Sequence, residues 1–178
     1  MKKLMLILLI AVTTIGTSAY SQTSIAHVNT QKVLDTMPSR INAMKELENF
    51  ERRAVKELQE TQQKLQGDYG KLQQEKSTMS PTAYKFEEER LMKKSQEFQT
   101  RQQELDQQIQ ILSQELNAPI LETVQKAVEK VCKQEKISYV IDESSLLYSG
   151  GRDITDLIVK EVLVMEKAAA AAAPKEGN

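Results

Sequence analysis

The chain has 178 residues and a formal net charge of −1, with no tryptophan and only 4% aromatic residues. This near-neutral balance lacks the basic surface that nucleic-acid-binding proteins use, so the composition argues against that class. Apolar residues are sparse through a glutamine-dense middle segment and denser in the segments before and after it. This distribution predicts a small body interrupted by a long polar insertion.

The N-terminus has the pattern of a signal peptide. Lys2 and Lys3 precede an apolar run from Leu4 to Val12, which is too short to cross a bilayer as a mature helix. Small residues then predict cleavage after Ser21, which removes residues 1–21 and both lysines and changes the net charge from −1 to −3. The only cysteine lies far downstream, which argues against a lipid anchor. The sequence therefore predicts export to the periplasm.

A short strand and a long helix are predicted next. Residues 24–29 alternate in the manner of a strand, and Pro38 suits the first turn of a helix that runs to about Thr78. The helix carries only a narrow apolar or weakly polar seam. Its members are Leu47, Phe50, Ala54, Leu58, Thr61, Leu65, Tyr69 and Leu72. A helix of this length and polarity must stand mostly in solvent.

A turn at residues 77–81 predicts the tip of a helical hairpin, with Ser80 as N-cap and Pro81 opening the returning helix. The returning seam alternates steps of four and three, which is typical of a coiled-coil partner. Its members are Leu91, Ser95, Phe98, Gln102, Leu105, Ile109, Leu112 and Leu116. Residues 39–136 are therefore predicted to form one antiparallel arm whose base enters the body.

The C-terminal part is predicted to complete the body. Residues 137–142 form an apolar run typical of a central, covered strand, and residues 146–148 are expected to be its hairpin neighbour. Asp153 is placed to cap a helix over residues 154–167. The body then comprises residues 22–38 and 137–167, and residues 168–178 form a flexible, alanine-rich tail.

Two blocks resemble the OmpH-like (Skp) family of periplasmic chaperones. They are Ile25-Ala-His-Val-Asn-Thr-Gln-Lys-Val-Leu-Asp-Thr-Met-Pro38 and Tyr139-Val-Ile-Asp-Glu-Ser-Ser-Leu-Leu-Tyr-Ser-Gly-Gly-Arg-Asp-Ile-Thr-Asp156. The resemblance covers essentially the whole mature chain, because the order of strand, long hairpin, strands and final helix also agrees. It implies an α+β fold with a small β body and a long coiled-coil arm.

The resemblance further implies a homotrimer whose arms surround a cavity, where unfolded outer-membrane β-barrel proteins are held without ATP. The residues it assigns to the trimer body are Ile25, Val28, Ile137, Tyr139, Val140, Ile141, Leu146, Tyr148, Ile154, Leu157 and Ile158. The best-known member is strongly basic, whereas this chain is mildly acidic. That difference argues against electrostatic attraction to lipopolysaccharide or anionic lipid here.

Two groups of arm residues have both a functional and a structural interpretation. Gly67, Gly70 and Pro119 weaken a helix, so they are either flex points that let the arms spread or tolerated defects. Four residues near the tip could contact clients or could pack the hairpin end. They are Met79, Tyr84, Phe86 and Met92.

No residue pattern in the sequence predicts catalysis, and no cofactor is expected. His27 has no second histidine or cysteine at ligand spacing, and Cys132 lies on an apolar helix face, so both are interpreted as structural. The leading function is an ATP-independent holdase. The alternative is a periplasmic coiled-coil tether or adaptor that binds no unfolded clients.

Overall fold

Three short strands form a parallel sheet at the base of the molecule. The computed structural model describes residues 24–172, so the predicted signal peptide and residues 173–178 lie outside the described residues. Strand β1 is Ile25–Val28, β2 is Tyr139–Asp142 and β3 is Arg152–Asp153. The order is β2-β1-β3, and β1 pairs in parallel with both neighbours.

The central strand is β1, not the apolar run at residues 137–142, so that part of the sequence prediction was wrong. Strand β2 lies at an edge, and its side chains alternate between the two faces of the sheet. Tyr139 is 62% exposed and Ile141 is 37% exposed, whereas Val140 packs against the core. An apolar run therefore does not by itself distinguish a covered strand from one whose second face is open.

The predicted hairpin neighbour at residues 146–148 is also wrong. A 3₁₀ turn at Glu143–Ser145 follows β2, where the Asp142 carboxylate accepts a hydrogen bond of 2.8 Å from the Ser144 amide. The chain then crosses to the opposite side of β1 and forms β3 at Arg152–Asp153. This side-chain turn redirects the chain, so strands that are close in sequence do not pair with each other.

Four α-helices complete the fold. Helix α1 spans Thr30–Asp35, α2 spans Pro38–Glu75 and α3 spans Pro81–Glu135. The Ser80 hydroxyl accepts a hydrogen bond of 3.2 Å from the Ala83 amide, and a proline opens both α2 and α3, as the sequence predicted. Helices α2 and α3 pack against each other as the predicted antiparallel hairpin, which we call the arm.

Helix α4 spans Thr155–Ala172, which is longer than the predicted 154–167. The Asp153 carboxylate accepts hydrogen bonds from the Thr155 amide at 2.8 Å and from its hydroxyl at 2.5 Å, so Asp153 satisfies the first turn as predicted. The helix continues into the alanine run, where the sequence interpretation expected a flexible tail. Alanine has the highest helix propensity of all residues, so the run extends α4 without packing partners of its own.

One hydrophobic core joins the sheet, α1, the base of the arm and α4. Its buried members are Ala26, Val28, Val33, Met37, Ile120, Val124, Ala127, Val131, Ile137, Ile154, Ile158 and Val162. Helix α3 therefore has two environments, a solvated half in the arm and a buried half in the body. Within residues 24–172, no helix is long and apolar enough to cross a membrane.

Helix α3 ends at a residue in a left-handed conformation. Lys136 has φ 55° and ψ 42°, and the carbonyl of Cys132 accepts hydrogen bonds from the amides that follow the helix, including that of Ile137 at 2.9 Å. This geometry ends the helix and directs the chain into β2. Glycine is the residue most often found at such a position, because a Cβ is strained there.

We expect Lys136→Gly to raise the free energy of unfolding by about 0.5–1 kcal/mol, because it relieves the left-handed strain. Gln134→Gly, inside the same helix, should instead lower it by up to about 1 kcal/mol. Chemical denaturation followed by circular dichroism measures both. Equal destabilisation by the two glycines would contradict a special role for position 136.

Candidate assembly and client-binding surfaces

The sheet has one face in the core and one face open. In the parallel register Ile25 pairs with Tyr139 and His27 pairs with Ile141, so these four side chains point to the same side. Ala26 and Val28, which alternate with them, are buried against the helices. Ile25 is 55% exposed and Tyr139 is 62% exposed. We call Ile25, Tyr139 and Ile141 the open sheet face.

A loop with large apolar side chains lies next to this face. Leu147 is fully exposed and Tyr148 is 87% exposed. The Tyr148 ring lies against Gly150 so closely that a Cβ there would come within 2.5 Å of it, and Gly151 lies beside the His27 ring. The Tyr148 ring therefore lies over Gly150, and the loop extends the apolar surface past the end of the open sheet face.

His27 is buried in the sheet and has no catalytic or metal-binding neighbours in the described part of the chain. It is 6% exposed, and neither ring nitrogen has a hydrogen-bond partner among residues 24–172. Within the same residues, no group of three or more histidine, cysteine, aspartate or glutamate side chains is placed to hold a metal ion. In the sheet, His27 is the strand partner of Ile141 on one side and of Asp153 on the other, so its position is that of a central strand residue.

The structure separates the residues assigned to the trimer body into two groups. Val28, Ile137, Ile154 and Ile158 belong to the core of the single chain, and Val140 and Leu157 pack against it. Leu146 is partly buried. The exposed group is Ile25, Tyr139, Ile141 and Tyr148. This exposed group presents most of the side-chain surface that a second copy of the chain could cover.

The arm is held by a narrow seam and by two ion pairs between its helices. Ala54 and Leu72 of α2, and Leu91 and Leu105 of α3, are buried. They leave the rest of each helix surface in solvent, as the sparse sequence seam predicted. The arm is therefore a thin two-helix element, and its remaining apolar side chains, such as Val55 and Ile111, lie scattered and exposed on its surface.

The ion pairs fix the register of the two arm helices. Lys94 donates to Asp68 at 2.7 Å, and Arg101 donates to both oxygens of Glu57 at 2.6 and 3.2 Å. These hydrogen bonds lower the pKa of Asp68 and that of Glu57 below their ordinary values. All four groups are solvated, so the pairs select an alignment more than they stabilise the fold.

The four predicted client-contact residues do not share one environment. Phe86 is 66% exposed and Met92 is 56% exposed. Tyr84 is partly buried with the Lys76 ammonium 5.2 Å from its ring centroid, and Met79 is partly buried in the turn. Tyr84 and Met79 therefore fit the structural interpretation, and Phe86 and Met92 remain available for contact.

The three predicted flex points lie in continuous helix. Gly67 and Gly70 face open space, where a Cβ would meet no atom within 4 Å, so neither glycine is required by packing. Helix α3 continues through Pro119. The Pro119 carbonyl accepts a hydrogen bond of 2.9 Å from the Thr123 hydroxyl. Proline has no N–H, so the Glu115 carbonyl loses its usual helical donor at this point.

Cys132 packs against the core as a small apolar residue, which the sequence predicted. Burial raises the pKa of its thiol above the ordinary value. A thiol in this environment is mostly protonated at neutral pH and is a poor nucleophile.

A groove at the base of the arm was not predicted. It has a volume of about 1020 Å³ and lies between the arm base and the end of α4. Leu116 and Pro119 line one side, and Leu163 and Ala169 line the other. Sequence reasoning missed it because the alanine run was interpreted as a tail, and no local pattern places that run beside residues 116–119.

These features define a class of protein, an α+β molecule with a small open-faced body and one long solvated helical hairpin. The OmpH-like outer membrane protein family matches residues 24–162. The chain therefore belongs to the OmpH-like family.

Named relatives and a solved structure agree with this assignment. The chain is 32% identical over 145 residues to the chaperone protein Skp of Photorhabdus laumondii, covering 81% of this chain and 88% of that protein. It is 32% identical over 146 residues to the chaperone protein Skp of Pectobacterium atrosepticum, covering 82% and 88%. A crystal structure described as an OmpH-like outer membrane chaperone, from Caulobacter crescentus, has 16% identity and a TM-score of 0.72, covering 84% of this chain and 89% of that one. The last comparison concerns the fold alone.

Proposed function

We propose that this protein is an ATP-independent periplasmic holdase, which binds unfolded outer-membrane β-barrel proteins between its helical arms and prevents their aggregation. The observation that carries the proposal is the match to relatives named chaperone protein Skp over about four fifths of the chain. These relatives are named as chaperones, which supports a role in binding and not in catalysis. No step of the proposed activity requires a cofactor.

The physical properties of the arm support the same role. A thin polar hairpin with isolated apolar side chains gives an unfolded chain many weak contacts. Ile111 and Val55 are about half exposed, as are Phe86 and Met92 nearer the tip. Scattered contacts of this kind retain a client without selecting one conformation, and they also permit its release.

Assembly as a homotrimer is part of the proposal. A three-stranded sheet with one face open is a small body for an arm of 38 and 55 residues, and burial between copies would cover the open sheet face. Ile25, Tyr139 and Tyr148 supply apolar and aromatic surface of the kind found at the centres of interfaces. Three arms that leave one shared body would enclose a cavity between them.

Export by a cleavable signal peptide, with cleavage after Ser21, completes the proposal. The basic and apolar pattern of residues 1–21 supports it, and the family match begins just beyond, at residue 24. The mature net charge of −3, which follows from −1 and the loss of two lysines, favours no lipid or lipopolysaccharide contact. A coiled-coil tether is the second candidate, favoured by the extended arm alone.

The first experiment is dilution of a chemically unfolded outer-membrane β-barrel protein into buffer that contains the purified mature protein. Suppressed light scattering near one trimer per client is expected, because the arms exclude client chains from one another. A tether would leave aggregation unchanged. Multi-angle scattering on a column gives the mass of the same sample, and a monomeric mass would contradict the assembly.

Assembly is tested by Tyr139→Asp, which places a charge on the open sheet face and should shift the mass from trimer toward monomer. Ile111→Asp is the matched control, since it removes an exposed apolar residue of the arm and should leave the mass unchanged. Sedimentation at several protein concentrations measures both. Identical sedimentation of the two variants would show that the open sheet face is not the interface.

The arm tip is tested by the double substitution Phe86→Ser and Met92→Ser. Because both side chains are exposed, we expect weaker client retention with unchanged trimer mass and helicity. The control is Tyr84→Ser, whose partly buried ring should affect the melting of the arm more than client retention. Client dissociation rates and thermal melts distinguish the two, and unchanged retention in the double variant would exclude a tip contact.

A further inference from the structure

Helix α4 continues well past the body that it completes. Val162 is fully buried and is the last residue of α4 in the core, and the family match also ends at residue 162. Ten more residues, 163–172, remain helical. We call residues 163–172 the strap.

The strap contacts the first turn of the arm. The Glu166 carboxylate accepts a hydrogen bond from the Ser39 hydroxyl at the start of α2, and Met165 packs against the core. The other Glu166 carboxylate oxygen is buried and has no hydrogen-bond partner among the described residues, and the same holds for the Nε atom of Arg40. The Ser39–Glu166 hydrogen bond therefore holds one side of the strap against the root of α2.

The other side of the strap faces α3 across open space. The groove of about 1020 Å³ separates Leu163 and the alanines from Leu116, Pro119 and Ile120. Leu163 is 40% exposed, so this wall is apolar but not packed. Ser39, Asn42 and Ala43 of α2 also line the groove, so it is an open cleft among three helices.

The gap lies at the point where α3 bends most easily. Pro119 removes one backbone hydrogen bond from the helix, and sharp helix bends occur at such positions. A bend at Pro119 toward α4 would narrow the groove and bury Leu116 against Leu163.

We propose that the strap limits the swing of the arm about Pro119. The Ser39–Glu166 contact holds the strap beside the arm root. The apolar wall of the strap is then the surface that α3 meets when the arm bends toward α4. The inference rests on the arm geometry and requires no client. It concerns the last turns of α4, which follow residue 162, where the match to the family model ends.

Arm length makes the movement measurable. Pro119 lies 38 residues from Pro81, so the tip is on the order of 60 Å from the bend at about 1.5 Å per residue. A swing of about 10° therefore moves the tip by about 10 Å. Pulsed electron paramagnetic resonance resolves a shift of this size.

The experiment places spin labels at Ser77→Cys in the tip and Gln31→Cys in the body of the full mature chain, with Cys132→Ala. Labelled chains are mixed with excess unlabelled chains, so that distances within one copy dominate. Truncation after Val162 removes the strap, and truncation after Ala172 is the control. We expect a broader distribution of label-to-label distances after the first truncation, and no change after the second.

Two substitutions keep the test decisive if the shorter chain fails to fold. Glu166→Ala removes the contact with Ser39 and should broaden the distribution of label-to-label distances. Ala169→Trp fills the groove and should narrow that distribution. Distributions for Glu166→Ala and Ala169→Trp that superimpose on the control would overturn the proposal. Aggregation suppression is measured in a separate experiment. If the label-to-label distances do not change, the holdase proposal is unaffected. If holdase activity is absent, the label-to-label distances still test the role of the strap.

Discussion

The structure depends on one continuous helix. Helix α3 is 55 residues long, and its two halves lie in different environments. Its N-terminal half pairs with α2 in solvent, while Ile120, Val124, Ala127 and Val131 anchor its C-terminal half in the core. Because both halves belong to one helix, the packing of these four side chains sets the direction in which the arm leaves the body, up to the bend that Pro119 allows.

The body that anchors α3 is small and buries little apolar surface within one chain. The sheet has three strands, β3 is only two residues long, and one face of β1 and β2 carries exposed apolar side chains. The core of one chain covers the other face only. The open sheet face and the loop that carries Leu147 and Tyr148 are the places where further burial is available. In the proposed trimer, the same burial that completes each sheet also sets the arms around a common axis.

The arm combines a fixed register with weak lateral packing. Ion pairs align α2 with α3, and a seam of a few buried side chains holds them together. Most of the arm surface is polar, with apolar groups scattered over it, which suits transient contact with an unfolded chain. If the strap restrains the swing at Pro119, the size of the enclosed space depends on α4 as well as on the arm itself.

The sequence by itself determined the arm and its ends, because each depends on local chemistry. A narrow apolar seam in the outgoing helix and heptad spacing in the returning helix predicted that the two pair. Pro38, Ser80 and Pro81 marked their boundaries through the missing N–H of proline and the capping oxygen of serine. The same local signals placed β1 and the Asp153 cap. The two end blocks also sufficed for the resemblance to the OmpH-like family.

Only the tertiary structure decided which strand is central, what pairs with it and which face is open. Strand pairing joins residues more than a hundred positions apart, such as Ile25 and Tyr139, and no local pattern encodes that choice. The same reason explains the missed hairpin at 146–148 and the unforeseen groove. Alanine residues carry no pattern of their own, so the sequence could not show that the end of α4 would lie beside Pro119, where the fold of the distant body brings it.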